Sequence, residues 1–250
     1  MLESFSKRVF SAPLQDGSLI NHDVYTKGDD PACVVIIQEL PGIGPETIAL
    51  ANTFVERGFR VVLPHLFGPL GKVSLAGNLA RVLCLRREFA LLSSNKSSPI
   101  VDWLRALCAE LSEQPGIRGI GVIGMCLTGN FAISLIAEDS VQAGVASQPS
   151  MPIFKAKDLH LSAEEVKASR QALDTKGPMI ALRFEKDPLC TAEKFTAIDQ
   201  AFNDDRERVK LIEIPGKGHS VLTLDFIKGG QPTEQALNSI SQYFAKQLKG

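Results

Sequence analysis

The sequence lacks an excess of charge of either sign. It has 27 Lys and Arg residues against 28 Asp and Glu residues, so the formal net charge is −1 at pH 7 with neutral His. This balance argues against binding to nucleic acid or another polyanion. Hydrophobic residues make up 44% and charged residues 22% of the 250 residues, which is ordinary for globular proteins and excludes disordered, collagen-like and fibrous classes.

Closely spaced cysteine pairs are also missing. The five cysteines are odd in number and contain no Cys-x-x-Cys pair, a pattern typical of a reducing compartment and not of a disulfide-stapled secreted domain. Neither His nor Cys shows the spacing of metal ligands, and no Gly-rich loop resembles a nucleotide cradle. We therefore expect no metal and no cofactor. The cysteines are Cys33, Cys84, Cys108, Cys126 and Cys190.

Long hydrophobic runs are absent as well. No apolar stretch approaches the roughly 20 residues that span a bilayer. The first residues carry neither the basic region nor the apolar run of a signal peptide, so we expect a cytoplasmic protein with no membrane partner. Internal repeats, low-complexity tracts and long linkers are not found, which predicts a single domain over residues 1–250.

Strand-like and helix-like segments alternate along the chain. Six β-branched apolar runs are each closed by Gly or Pro and followed by helical spacing, and several are apolar on both faces. Parallel strands covered on both sides by helices have this composition. The predicted fold class is α/β, with a mostly parallel central sheet and helices on both faces. The predicted strands are 33–37, 60–63, 119–123, 144–146, 178–182 and 209–214, and the predicted helices are 45–58, 75–93, 98–113, 129–138, 190–203 and 233–248.

One stretch, 149–176, interrupts this alternation. It is charged, helical and poor in strand signals, so we interpret it as an excursion off the sheet. Two interpretations are open: a cap over a pocket, or a plain surface helix.

Cys126 occupies the most informative segment. A buried strand runs into this residue and passes at once into a helical pattern, with Gly124 and Gly129 on either side. A nucleophile on such a sharp turn projects above the carboxyl end of the sheet. The helix N-terminus favours the thiolate, and free N–H groups, that of Leu127 first, can hold an oxyanion. The alternative is that Cys126 is a small buried hydrophobe.

The residues at 124–129, Gly-Met-Cys-Leu-Thr-Gly, resemble the Gly-x-Cys-x-Gly-Gly elbow of the dienelactone hydrolases, members of the α/β-hydrolase superfamily with a nucleophilic cysteine. The resemblance implies an α/β-hydrolase fold and a cofactor-independent hydrolase of small esters or lactones. The chain departs from the family at Thr128, where the pattern has Gly. A β-branched residue crowds the turn there, and we expect a slightly more open elbow.

A second motif, Gln-Glu-Leu-Pro-Gly at 38–42, resembles the Gln-Glu-hydrophobic-x-Gly segment of the same family. The resemblance implies that Glu39 lies beside the cysteine and helps to control its proton, and that the Leu40 N–H is a second oxyanion donor. A half-buried Glu has a raised pKa unless it is paired, which suits a group that takes a proton from a thiol. The alternative is a Glu that caps a loop or pairs with a surface Arg.

The order of the remaining polar residues is an independent check. Nucleophile, acid and histidine follow one another along α/β-hydrolase chains, and Cys126, Asp187 and His219 obey this order. Asp187 and His219 each follow a predicted strand and therefore lie at the same sheet edge as the elbow. His219 is the candidate general base and later general acid, with Asp187 fixing its tautomer and stabilising the imidazolium.

Rival residues exist for both roles. Glu185 is the alternative to Asp187. His65 also follows a strand end, but the resemblance places an acidic residue at that position, so we expect His65 to line the pocket. His22 falls in a predicted edge hairpin and His160 falls in the excursion.

The sequence also bears on the charge of the substrate. The enzymes after which the family is named bind a lactone carboxylate with arginines, and one of these arginines lies four residues after the catalytic histidine. This chain has Thr223 at that position. Arg81, on a predicted helix, could reach the pocket, although charges on a surface helix are more often solvated. The sequence therefore indicates a small-molecule substrate that either carries no charge or is an ester of a different kind from the family's lactones.

Two other functions compete with this interpretation. Glutamine amidotransferases also use a Gly-flanked cysteine elbow, but they carry a His-x-Glu pair, and here Val221 stands two residues after His219. The other alternative is a non-catalytic ligand-binding or partner-binding module on a hydrolase fold, because fold alone does not establish function.

Overall fold

The structure, a computed structural model, describes residues 2–13, 19–40, 42–68, 70, 98–150 and 158–250. All six predicted strands are present in it, and a hairpin precedes them. The strands are β1 (Ser6–Pro13), β2 (Leu19–Lys27), β3 (Ala32–Ile37), β4 (Arg60–His65), β5 (Gly119–Met125), β6 (Val141–Ser147), β7 (Met179–Phe184) and β8 (Val209–Ile214).

Helices follow most of these strands. The longest helix among the described residues, at the C-terminus, has 19 residues. Within the described part of the chain, no helix combines the length and apolarity that crossing a bilayer requires. The helices are α1 (Pro45–Glu56), α2 (Pro99–Ser112), α3 (Leu127–Leu135), α4 (Ala163–Lys176), α5 (Ala192–Phe202), α6 (Phe226–Gly229) and α7 (Gln231–Lys249).

The strands form one sheet in the order β1-β2-β4-β3-β5-β6-β7-β8. β1 pairs with β2, and β2 with β4, in antiparallel fashion, whereas every pair from β4 to β8 is parallel. The prediction of a mostly parallel sheet is therefore confirmed. The predicted edge hairpin is also present, with His22 of β2 opposite Phe10 of β1.

The apolar composition of the central strands follows from burial on both sides. Along β3, Cys33, Val35 and Ile37 belong to one hydrophobic cluster, and Val34 and Ile36 belong to the other. Successive side chains of a strand point to opposite faces, so both faces of this strand need apolar residues. For this reason the sequence of β3 is hydrophobic at every position.

Helices cover both faces of the sheet, as predicted. Phe54 of α1 and Phe244 of α7 pack edge to face on one side, with ring centroids 6.0 Å apart. Trp103 of α2, Phe131 of α3 and Phe195 of α5 lie in the cluster on the other side. The sheet is thus the middle of three layers.

α3 begins earlier than the sequence predicts. The expected helix was 129–138, but the helix spans Leu127–Leu135 and starts directly after Cys126. Gly129 therefore lies inside the helix, where its missing side chain allows the helix to approach Pro149, as described below.

The excursion contains α4, whose N-terminus carries a capping box formed by Ser162 and Glu165. The helix lies against its neighbours, because Ser169 Oγ donates to the Ile133 carbonyl of α3 at 2.8 Å and Arg170 donates to the Ala201 carbonyl of α5 at 2.7 Å. Residues 151–157 of the excursion lie outside the described residues. The predicted helix 75–93, with Arg81 and Cys84, lies outside them too.

The parallel strands bring the candidate residues to one edge of the sheet. β3, β5, β7 and β8 all run in the same direction, so the loops after them share the carboxyl edge. Ligands of open α/β sheets bind at this edge. The residues in these loops are Glu39, Cys126, Asp187 and His219.

Candidate active site

Cys126 is the single residue between β5 and α3. Its backbone has φ 57° and ψ −122°, a conformation that non-glycine residues rarely adopt. Backbone strain of this kind persists only where the surrounding structure imposes it, and it concentrates at functional sites. The side chain is buried at 4% exposure. The tight strand-to-helix turn expected from the sequence is therefore present.

Two glycines allow the strand and the helix to close on this turn. A Cβ atom on Gly124 would overlap the Thr128 carbonyl, and a Cβ atom on Gly129 would lie 2.9 Å from Pro149 Cα. Both contacts are with backbone atoms, which cannot move aside cheaply. The glycines at these two positions are therefore required by packing.

Thr128, the residue that departs from the family pattern, is fully buried in the turn. Its Oγ1 accepts a hydrogen bond from the Met125 N–H at 2.9 Å. The same oxygen lies 3.2 Å from the Ile37 carbonyl, 3.1 Å from that of Gln38 and 3.0 Å from that of Met125, and it donates its one proton among them. The hydroxyl thus ties the elbow to the end of β3.

His219 and Asp187 form a hydrogen-bonded pair. His219 Nδ1 lies 2.9 Å from both carboxylate oxygens, and the Asp187 side chain has no exposed surface. Asp187 Oδ1 also accepts the backbone N–H groups of Leu189 at 2.8 Å and Cys190 at 2.9 Å. With its carboxylate held in this way, Asp187 fixes the orientation of the imidazole ring.

His219 also interacts with Cys126. Burial lowers the pKa of His219, but hydrogen bonding and charge from Asp187 and Cys126 outweigh it and raise the pKa to about 10. His219 Nε2 itself makes no hydrogen bond of ordinary geometry to the described residues. The interaction with the thiol nevertheless favours the imidazolium.

Asp225 holds the loop that carries His219. Its Oδ2 accepts the backbone N–H groups of His219 at 2.9 Å and Ser220 at 3.2 Å. Burial opposes ionisation of Asp225, but these N–H groups and Lys228 outweigh it and lower the pKa of Asp225. The position of the histidine therefore depends on a carboxylate six residues further along the chain.

Glu39 is buried at 2% exposure, and both of its carboxylate oxygens contact the same histidine loop. Ser220 Oγ donates to Oε2 at 2.8 Å, and Thr223 Oγ1 donates to Oε1. Burial raises the pKa of Glu39, whereas the Thr223 and Ser220 hydroxyls and the charge on His219 lower it. The expected partner was the Cys126 thiol, and the role of Glu39 toward that thiol remains a prediction.

The two predicted oxyanion donors follow Glu39 and Cys126 directly. Leu127 is the first residue of α3, a position whose N–H has no intrahelical acceptor. Leu40 lies in a turn in which Gly42 N–H donates to the Glu39 carbonyl at 2.9 Å. Gln38 anchors this turn, since its side chain bonds the Phe67 carbonyl at 2.7 Å and the Leu66 N–H at 3.0 Å.

The geometry separates the rival residues from the candidates. Glu185 is exposed, whereas Asp187 is buried against His219. His65 Nε2 bonds the Gly68 carbonyl at 2.8 Å within its own loop, and the His22 ring packs on Trp103 with centroids 4.9 Å apart. Arg81 lies outside the described residues.

Several neighbours of the candidates were not identified from the sequence. Ser150 Oγ lies 3.4 Å from Cys126 Sγ, and Ser220, Thr223 and Asp225 bond Glu39 or the histidine loop. For Ser220, Thr223 and Asp225, the only signal in the sequence was their position within six residues of His219. Among the described residues, no group of three or more His, Cys, Asp or Glu side chains could hold a metal ion.

Comparison with known proteins agrees with this architecture. The model of the dienelactone hydrolase family matches residues 23–247. No curated protein is significantly similar to the chain in sequence.

Solved structures share the fold over nearly the whole chain. A dienelactone hydrolase from Anabaena variabilis is 14% identical, with a TM-score of 0.61 over 98% of this chain and 100% of that one. A dienelactone hydrolase-like promiscuous phosphotriesterase from metagenomic libraries is 14% identical, with a TM-score of 0.70 over 98% and 99%. Carboxyl esterase 2 from the fungus Tuber melanosporum is 13% identical, with a TM-score of 0.59 over 98% and 88%.

At these identities the solved structures establish the fold, and the predicted α/β-hydrolase architecture is confirmed. The family match is the more specific finding, because it extends from β2 to α7 and includes all four candidate residues. It supports a hydrolase function of the esterase type. The chain belongs to the dienelactone hydrolase family.

Proposed function

We propose that this protein is a cofactor-independent hydrolase of small esters or lactones, with Cys126 as its nucleophile. The observation that carries the proposal is the placement of a strained, buried cysteine next to a histidine that is paired with a buried carboxylate. A thiol needs a base to become a nucleophile near neutral pH, and the base needs a partner that fixes its tautomer. Cys126, His219 and Asp187 satisfy these requirements.

In the proposed reaction, the Cys126 proton has passed to His219 Nε2, whose pKa is raised to about 10, and the thiolate of the resulting pair attacks the substrate carbonyl. The backbone N–H groups of Leu127 and Leu40 hold the oxyanion that forms. The leaving alcohol takes the proton from His219, which leaves a thioester on Cys126. His219 then removes a proton from water, the hydroxide attacks the thioester, and the acid product and the thiol are released.

Glu39 has a secondary role in this proposal. Burial raises its pKa, so the carboxyl group is a better proton acceptor than an exposed glutamate. It contacts the loop that carries His219 through Ser220 and Thr223. We assign Glu39 to control of the thiol proton.

The proposed substrate is neutral. Thr223 occupies the position, four residues after His219, at which the resemblance places an arginine for an anionic substrate, and its hydroxyl donates to Glu39. Its side chain is also buried, at 4% exposure. This position therefore supplies no positive charge to a substrate carboxylate.

The test compares the wild type with Cys126→Ala on aryl esters and on neutral and anionic lactones. Cys108→Ala is the matched control, because Cys108 is a core thiol whose pKa is raised by burial. We expect turnover to be lost in Cys126→Ala only, with neutral lactones preferred. Undiminished turnover by Cys126→Ala would overturn the proposal. No turnover by any protein, together with slow alkylation of Cys126, would favour a binding module.

A further inference from the structure

Ser150 is the polar neighbour of the Cys126 sulfur. It lies three residues after the end of β6, has no exposed surface, and places its Oγ 3.4 Å from Cys126 Sγ. This separation is within hydrogen-bonding range for sulfur, and either atom can be the donor while the thiol is neutral. The mechanism proposed above does not use this hydroxyl.

The backbone of Ser150 is fixed to the elbow. Its N–H donates to the Cys126 carbonyl at 3.1 Å, and its carbonyl accepts from Asn130 Nδ2 at 3.1 Å. Lys194 Nζ donates to Asn130 Oδ1 at 2.9 Å, which sets the orientation of the amide. Ser150 Oγ is thus held beside the sulfur by contacts that do not involve the thiol.

Ionisation of the thiol decides the direction of this hydrogen bond. A thiolate can only accept, so Ser150 must then donate to it. Hydrogen bonds to charged groups are roughly twice as strong as neutral ones, so the contact favours the thiolate over the thiol. Of the other ionisable groups at this site, His219 and Cys190 interact with Cys126, whereas Asp187 and Glu39 act on His219.

We propose that Ser150 is a further catalytic residue, whose hydroxyl donates to the Cys126 thiolate when it forms and again when it leaves. The inference rests on Cys126 being the nucleophile. In the first step the thiol proton goes to His219 Nε2, the electron pair stays on sulfur, and Ser150 keeps its own proton. In the last step the carbon–sulfur bond of the tetrahedral intermediate breaks, and the electron pair returns to a sulfur that Ser150 again contacts.

The test is the pH profile of Cys126 alkylation by iodoacetamide, followed by mass spectrometry of the peptide that contains Cys126. The variants are Ser150→Ala, which removes one oxygen and adds no atom, and Ser150→Thr, which keeps the hydroxyl. Ser169→Ala is the matched control, because Ser169 is also fully buried and its hydroxyl bonds the Ile133 carbonyl instead of the thiol.

In Ser150→Ala we expect the midpoint of the profile to rise by about 0.5–1 pH unit, with alkylation at pH 7 about 3–10-fold slower. Ser150→Thr restores the wild-type midpoint, and Ser169→Ala does not move it. A structural defect would lower the rate at every pH and leave the midpoint in place.

A Ser150→Ala profile that superposes on that of the wild type overturns the inference. So does a shift of the same size in Ser169→Ala. If Ser150→Ala does not fold, the wild type and Ser150→Thr are compared with Ser150→Gly, which also lacks the hydroxyl. Loss of ester turnover in Cys126→Ala is measured in parallel, so a failure of this inference is distinguished from a failure of the proposed nucleophile.

Discussion

Thr223 donates a hydrogen bond to the buried carboxylate of Glu39, 184 residues away in the chain. Glu39 follows β3 and Thr223 lies in the histidine loop after β8, so the contact joins loops from distant strands of the sheet. It links the carboxylate assigned to the thiol proton with the loop that positions His219. The ionisation of Glu39 and the geometry of that loop therefore depend on each other.

Replacing Thr223 by Val tests this link. The hydroxyls of Thr223 and Ser220 lower the pKa of Glu39 against the effect of burial, so loss of one donor raises the pKa further. We expect the acid limb of the kcat/KM profile to move to higher pH by about 0.5–1 unit. Thr196→Val, on the exposed side of α5, is the control and leaves the profile unchanged. An unaltered acid limb in Thr223→Val would contradict the role of Glu39.

Asp187 and Glu185 are distinguished by amide substitution. In Asp187→Asn the remaining oxygen can still accept the N–H groups of Leu189 and Cys190, which turns the NH₂ group toward His219 Nδ1. The imidazole must then carry its proton on Nε2 and cannot accept one from the thiol. We expect kcat to fall by about 10⁴-fold.

Glu185→Gln is the matched control, because Glu185 is exposed and precedes Asp187 by two residues. We expect its kcat within about twofold of the wild type, as for most surface substitutions. Equal losses in the two variants would remove Asp187 from the proposed triad. Initial rates on one aryl ester are sufficient for the comparison.

His219 makes the stability of the fold depend on pH. Its pKa is raised from 6.5 to about 10, so the folded state binds this proton more tightly than the unfolded chain. The stabilisation is complete below pH 6.5 and is lost as the pH rises toward 10. The free energy of unfolding in urea therefore declines across this interval.

In His219→Gln we expect the free energy of unfolding to decline less steeply across the same pH interval. His22→Gln is the control, because burial lowers the pKa of His22 and keeps it neutral there. We expect its slope to match that of the wild type. A wild-type slope in His219→Gln would show that another group is responsible.

Thr128→Val tests the hydroxyl inside the elbow. The substitution keeps the branched shape but leaves the buried Met125 N–H without its acceptor. We expect a loss of about 1–3 kcal/mol in the free energy of unfolding. Thr196→Val again serves as control, since its hydroxyl bonds the Ala192 carbonyl on an exposed helix face. Equal stability of the two variants would mean that the Thr128 hydroxyl contributes no more than an exposed one.

Much of the fold was predictable because local pattern and global environment agree. The apolar runs of β3 and β5 are continuous since both faces of these strands are buried, and this composition is visible in the sequence. The start of α3 was predicted two residues late, at Gly129. Glycine is needed at this position because a Cβ atom there would lie 2.9 Å from Pro149 Cα, a contact that the sequence does not show.

The candidate site, too, could be predicted only in part. Cys126, Asp187 and His219 could be proposed from motif and order, because each follows a strand and parallel strands end at one edge. Asp187 was preferred to Glu185 from the sequence, and the structure adds that Asp187 is buried against the imidazole whereas Glu185 is exposed.

Local sequence patterns predict an α/β protein with a sharp cysteine turn, because hydrophobic periodicity and glycine placement act over a few residues. The partners of the polar groups at the site are visible only in the folded chain. Glu39 bonds Thr223, 184 residues away, and Cys126 contacts Ser150, 24 residues away, because the sheet brings the ends of different strands together. Contacts across such distances depend on how the strands are ordered, and no local pattern records that order.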